Sequence, residues 1–438
     1  TGCDAVDNLM KVENPARIQE EDFSNPALAQ LLVNSAIGRF NSAYDVPFIW
    51  RGSALTDEMI TGVNYEDQKR VNNRVVYYHE TPTDAMFSEL HAARAIAETA
   101  VKYLREALEN PESDARLATA LAYAGYTYIL VGDALCETTL DGESRIYTPV
   151  EIYGIAIERL EEALTIAQAA GNSRVANLAR VGLARAHLNR GEFSQVMQYA
   201  RDVPSDFVWW AEYHETDTRA DNELYGWITG ANHTIGVHPR FLNGTWLERT
   251  PDANQSDPRI QHAPMWETGH DGETPLYKPY QSLPYSGYTG KTIAEGAVPG
   301  VDVTIYSMGS DIKVASYVEA MHSYYEAAGP DGTGPEGTTL EWVNKRRAFG
   351  NQPPVNLSGD ELMSELREQR ARDLFLGGFR LGDLRRYLRL GINDPRHQFP
   401  SGPHPVAQRG NYGTDTCFPI PLTEYQGNKN LDNPHLQQ

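Results

Sequence analysis

Residues 81–109 carry an apolar stripe at helical spacing: Met86, Leu90, Ala93, Ala97, Val101, Leu104 and Leu108 recur three and four apart. A stripe that long forms one face of a helix, and that face has to be buried against another element. The neighbours follow at once. After Ser113, Leu117, Leu121, Ala124, Tyr128, Val131 and Leu135 line one face of a second helix. Thr148-Pro149-Val150-Glu151 reads as a capping box with proline in the first turn, opening a third helix that stops at Gly171. Ser173 opens a fourth, which stops at Gly191. Thr81-Pro82-Thr83-Asp84 places a similar signature before the first, with Thr81 expected as its N-cap. The first half of the chain is helical.

These helices also repeat in kind. In 181–200, Leu183, Ala184, His187, Gly191, Phe193 and Val196 fall where a tetratricopeptide repeat puts its small residue, large residue, turn glycine and second-helix core. Gly125, Tyr128 and Gly132 keep the same spacing, and a weaker echo ends at Gly329. The turn glycines are thus expected at 132, 191 and 329. The units are not in tandem, because the last gap holds a large insertion. Residues 204–310 are rich in Gly, Pro, Asn and aromatics and poor in helical period. A stretch of that length inside a compact protein is expected to carry its own irregular, functional structure.

Composition narrows the class. With 41% hydrophobic and 22% charged residues among 438, the chain can bury a large core. No apolar run reaches the length of a membrane span; the nearest, 121–135, is too short and contains Asp133. Any membrane contact is therefore expected through an anchor. The net charge of −21 opposes nucleic acid and anionic lipid headgroups as partners. Of three cysteines, Cys3 follows Thr1-Gly2 and resembles the acylated cysteine at the end of a bacterial lipoprotein signal. Cys136 and Cys417 then remain as an even pair, which would suit an oxidising compartment either as a disulfide or as two separate buried thiols.

Near the C-terminus, 365–387 reads ELREQRARDLFLGGFRLGDLRRY: an amphipathic helix, a break at Gly377-Gly378, and a short helix from about Asp383. It resembles a motif of the SusD/RagB family of outer-membrane lipoproteins, which show an arginine-rich helix, a glycine, an arginine and an Asp-Leu-Arg run. Arg370, Arg372, Leu374, Gly378, Arg380, Asp383, Leu384 and Arg385 occupy the corresponding places. The chain departs from the family at Gly377, where an acidic residue is usual, and at Leu381 and Gly382, where aromatics are. Segments 340–350 and 418–438 resemble the family's later helix and closing Pro-Ile-Pro segment, in the same order.

The resemblance implies a mostly α-helical, single composite domain with a tetratricopeptide-like spine. Its parts would be an N-terminal anchor and loop segment (1–80), the repeat helices (81–203), the irregular aromatic-rich insertion (204–310), and C-terminal helices with a closing segment (311–438). It implies a cell-surface lipoprotein, acylated at Cys3, that binds an oligosaccharide or peptide and delivers it to a SusC-like, TonB-dependent barrel. No cofactor is implied. The rival expectation is a structural scaffold of a surface complex that keeps the fold and binds only proteins.

Sugar binding needs aromatic faces for the C–H faces of the ring and planar polar groups for its hydroxyls. The insertion holds five of the seven tryptophans: Trp209, Trp210, Trp227, Trp246 and Trp266, with Tyr213, Tyr225, Tyr280, Tyr285 and Tyr288 beside them. From these, Trp246, Trp266, Trp209, Trp210, Tyr280 and Tyr285 are the first ligand candidates. Any single ring among them has an ordinary use as well, building a small local core. A second candidate group is Trp50, Arg51, Asp57, Asn64 and Tyr65, where Arg51 and Asp57 have the plainer option of pairing with each other at the surface. Catalysis finds no support. No HExxH, P-loop or nucleophile elbow is present, no histidines sit at metal spacing, and no carboxylate pair stands out among 59 acidic residues.

Overall fold

The computed structural model describes residues 25–216, 220–229, 234–242, 257, 259–260, 262–279, 291–292, 304–305 and 308–433. Mostly helices, it begins with α1 (Ala29–Ala43), a π-helical turn (Tyr44–Trp50), α2 (Arg51–Leu55), β1 (Met59–Thr61) and α3 (Glu66–Asn72). The 1–80 segment, expected as anchor and loops, is thus largely helical where it is described. Leu32, Val33, Ala36 and Phe40 lie on one face of α1 and are buried, which is why it packs along the next long helix instead of looping over the surface.

The spine is α4 (Thr81–Ala107), α5 (Ala115–Ala134), α6 (Pro149–Ala169), α7 (Ser173–Arg190) and α8 (Phe193–Ala200), each packed on the one before it. The capping box at α6 forms as its sequence requires: Glu151 accepts from the Thr148 backbone N–H at 2.8 Å, and the Thr148 hydroxyl accepts from the Glu151 N–H at 3.4 Å. Helix α4 differs. Its N-cap is Glu80, and the Thr83 hydroxyl turns back to the carbonyl of Tyr77. Gly191 ends α7 in the left-handed region, at φ 78°.

Gly132 is not a turn glycine. It lies inside α5, where a Cβ would come within 2.5 Å of the Tyr153 ring of α6. Gly125 does the same for Leu160, so both glycines let α5 and α6 approach closely, and the turn role passes to residues beyond Ala134.

The insertion contributes short pieces: β2 (Val208–Ala211), α9 (Glu223–Thr229), β3 (Ile235–Val237), β4 (His262–Thr268), β5 (Pro275–Pro279), β6 (Lys291–Thr292) and β7 (Thr304–Ile305). Then follow β8 (Ile312–Ser316), α10 (Tyr317–Ala328), β9 (Thr333–Gly334), β10 (Gly337–Thr338), α11 (Thr339–Phe349), α12 (Gly359–Asp373), α13 (Arg380–Arg389) and α14 (Leu422–Gly427). The strands pair only two by two, always antiparallel, among the described residues. One pair, β1 with β3, and another, β2 with β8, tie the insertion to the N-terminal segment and to the C-terminal helices.

The arginine-rich motif is an interior device. Helix α13 starts at Arg380, three residues before the expected Asp383, just after Gly378 turns the chain at φ 75°. Asp383 accepts from Arg370 at 2.8 Å and from Arg386 at 2.7 Å, and Arg386 forks onto Glu326 at 3.1 and 2.9 Å. Arg385 donates to the carbonyls of Gly132, Asp133 and Leu135, filling the open acceptors at the end of α5. Cys136, just past that end, is joined to Cys417 in a disulfide. No helix of the described residues is long and apolar enough to cross a membrane.

Candidate functional site

Asp45 organises the face where the N-terminal segment meets the insertion. Its Oδ1 accepts from the Val46 N–H at 2.6 Å and its Oδ2 from the Glu223 N–H at 3.0 Å, so it holds the first residue of α9. Asn222 fixes the same corner: its N–H donates to the Met308 carbonyl at 2.7 Å and its amide to the Ser310 carbonyl at 2.8 Å. Burial pushes the Asp45 carboxyl up to about 7. Its two N–H donors pull against that rise, and Glu223 and Asp221 add to it.

With α9 so placed, Trp227 stacks on Trp50, ring centroids 4.6 Å apart and planes 22° from parallel. Trp50 is 1% exposed, whereas Trp227 is half-buried and keeps a face toward solvent. A cleft of about 290 Å³ opens there, lined by Asp221, Asn222, Glu223, Gly226, Trp227 and Met308. Met308 is 42% exposed, and the cleft therefore joins an apolar face to two carboxylates.

The other residues singled out in the sequence lie apart. Arg51 is buried, with a guanidinium nitrogen 3.3 Å from the Val46 carbonyl; burial lowers its pKa to about 10. It does not pair with Asp57. That carboxylate is forked by Arg380 at 2.6 and 2.7 Å and touched by Arg240 at 3.1 Å. Asn64 and Tyr65 are exposed, Tyr65 by 61%. Trp209 and Trp210 sit on β2, half-buried. The Trp209 indole N–H donates to the Tyr123 hydroxyl at 3.0 Å, and Arg174 lies 5.0 Å from its ring; Lys313 is 5.9 Å from the Trp210 ring. Trp266 falls in β4, described in its backbone only, while Cys3, Trp246, Tyr280, Tyr285 and Tyr288 lie outside the described residues.

The residues that build the cleft were only partly visible in the sequence. Trp227 stood among the insertion's tryptophans without priority, and Asp45, Asp221, Glu223 and Met308 carried no signal of their own. A second cleft of about 560 Å³ takes in Asp57 from the second candidate group, but was not anticipated as a site. Its lining includes Asp57, His238, Arg240, Glu368, Arg372 and Arg396, with the 395–401 loop along one side. Burial works against the charge on Glu368, but Arg240 and Arg372 outweigh it and bring the carboxyl down to about 2.

No protein-family model and no curated protein sequence matches the chain. Solved structures do. A SusD superfamily protein from Parabacteroides distasonis ATCC 8503 superposes with a TM-score of 0.64 at 17% identity, covering 95% of this chain and 100% of the other. A SusD-like carbohydrate-binding protein from Bacteroides fragilis NCTC 9343 gives 0.65 at 13% identity, over 94% and 100%. Another, from Bacteroides vulgatus ATCC 8482, gives 0.60 at 13%, over 93% and 97%. The chain has the SusD fold along nearly its whole length, at 13–17% sequence identity to these structures.

Proposed function

We propose that the protein is a surface lipoprotein of the SusD kind that binds a glycan at the Trp227 cleft and passes it to a SusC-like, TonB-dependent barrel. One observation carries this reading, the stack of Trp227 on Trp50. The buried ring stiffens the exposed one, so an indole face is held ready beside Asp221 and Glu223. A hexose lays its C–H face on such a ring, and carboxylates accept hydrogen bonds from its hydroxyls. Binding of this type needs no cofactor and no chemical step. The description of two similar structures as carbohydrate-binding proteins supports a glycan over a peptide as cargo.

The anchor belongs to Cys3, whose diacylglyceryl group would hold the chain at the outer surface of the outer membrane. Calorimetric titration of the chain starting after Cys3, against pools of oligosaccharides and of peptides, tests the binding reading. Saturable heat with an oligosaccharide supports it. Heat only with peptides replaces the cargo, and silence in both pools from a folded chain leaves a protein-binding scaffold. Palmitate labelling that survives Cys3→Ala would remove the anchor.

A further inference from the structure

The second cleft has more arginine than its carboxylates can neutralise. Asp57 accepts from Arg380 and forms an ion pair with Arg240 at 3.1 Å. Glu368 accepts from Arg240 at 2.7 Å and Arg372 at 2.8 Å, with Arg396 at 3.7 Å. Four guanidinium groups thus share two carboxylates. The outer partners do not restore the balance. Asp257, 3.3 Å from Arg372, is already forked by Arg259 at 2.8 Å through two nitrogens. Glu365, 3.0 Å from Arg396, is also held by Arg347. Following Arg259 on to Asp373 brings in Arg346, which forks that carboxylate at 2.8 and 2.7 Å.

Each of these added carboxylates arrives with its own arginine; Glu58, beside Asp57, is held by Ser53 and the Leu376 N–H instead, and burial pushes it up to about 7. An excess of positive charge thus persists in a chain whose net charge is −21. Two histidines register it. His238 lines the cleft, and His397 lies 3.3 Å from Arg240 and 3.4 Å from Arg380. Burial lowers His238 to about 4, with Asp57 pulling against the fall and Arg240 and Arg380 adding to it; burial and then Arg380 and Arg240 lower His397 to about 3, so both are neutral and neither adds charge.

The rest of the lining suits a polar ligand. Gln398 and Ser401 supply an amide and a hydroxyl, and the Phe399 ring, with the Arg74 guanidinium 4.9 Å from its centre, supplies a flat wall. We propose that this cleft is a second binding site, separate from the Trp227 cleft, for an oxyanion: a small inorganic anion or the carboxylate of an acidic sugar. An entering oxyanion gives the crowded guanidinium groups a third acceptor, and planar N–H pairs match its geometry. Arg396, whose side chain is 48% exposed, is the arm most able to swing onto it.

The test is calorimetric titration of the full chain with sodium sulfate, with galacturonate, and with galactose as the uncharged control, all at one low ionic strength. Saturable binding of sulfate, of galacturonate or of both is expected, with galactose silent at this site. Sulfate alone identifies a free inorganic oxyanion, and galacturonate identifies the acidic-sugar source. Arg396→Gln, checked for an unchanged melting midpoint, is expected to weaken either by about tenfold, while Trp227→Ala leaves them unchanged. No saturable heat with either anion overturns the site. So does anion binding that Arg396→Gln leaves intact, or that Trp227→Ala removes.

Discussion

Asp57 and Arg380, 323 residues apart in sequence, form a two-pronged pair at 2.6 and 2.7 Å in the interior. The pair fastens the end of α2 to the start of α13, and so binds the N-terminal segment to the arginine motif. Removing one partner leaves the other charge buried, at a cost of about 3–5 kcal/mol. Asp57→Asn and Arg380→Gln should each show a loss of that order in urea denaturation, and the double variant less than their sum. Additive losses would contradict the pairing.

Gly378→Ala is expected to be as damaging as a core truncation, although it adds a single methyl. The residue sits at φ 75°, and its Cβ would lie 2.9 Å from the Phe48 ring and 3.1 Å from Ile49. Left-handed strain adds to overpacking, for a loss of about 2–4 kcal/mol. A melting midpoint within a degree or so of the parent would show that the turn is not needed.

These two examples also indicate which features the sequence made legible. The capping box at α6 was readable because Thr148 and Glu151 satisfy each other three residues apart. The helical spine and the SusD resemblance rested on similar short-range spacing. Gly132 was misread because the ring that requires it, Tyr153, belongs to the next helix. Asp57 was equally opaque, since its partners Arg240 and Arg380 come from distant segments. The site suffered most: whether a tryptophan stacks inward like Trp50 or keeps a face like Trp227 depends on tertiary contacts that no local pattern encodes.

Buried carboxyls and buried histidines pull stability in opposite directions between about pH 4 and pH 7. Asp45, Glu58 and Asp133 are pushed up by burial to about 7, about 7 and about 6. Between about pH 4, where they would ionise unfolded, and those values, the folded chain binds the extra protons, so stability falls as pH rises. Glu368, brought down to about 2, and Asp383, held well below the usual range despite burial by Arg370 and Arg386, act the other way. Their stabilisation is present above about pH 4 and lost as pH falls. The buried histidines oppose the three raised acids: His238 and His397, lowered to about 4 and about 3, bind protons only in the unfolded chain between those values and about 6.5, so their contribution to stability rises with pH. Asp45→Asn removes one acid's contribution, so its denaturation midpoint should rise more, or fall less, from pH 5 to pH 7.5 than the parent's. An unchanged pH dependence in Asp45→Asn would contradict the assignment.

The Cys136–Cys417 disulfide spans 281 residues and ties the end of α5 to the closing segment, where the Cys136 N–H also donates to the Phe418 carbonyl at 2.9 Å. Replacing both cysteines by serine should cost about 2–5 kcal/mol, read as a lower urea midpoint. Reductant should lower the parent's midpoint and leave the double variant's unchanged.

The central claim is that the Trp227 face holds the cargo. Its most direct measurement compares the dissociation constant of the best-binding oligosaccharide for the parent and for Trp227→Ala, with the variant's fold checked by its melting midpoint. Loss of the stacking face should weaken binding by about tenfold or more, the equivalent of 1.4 kcal/mol or above. Equal affinity in a folded variant would place the glycan elsewhere and contradict the account.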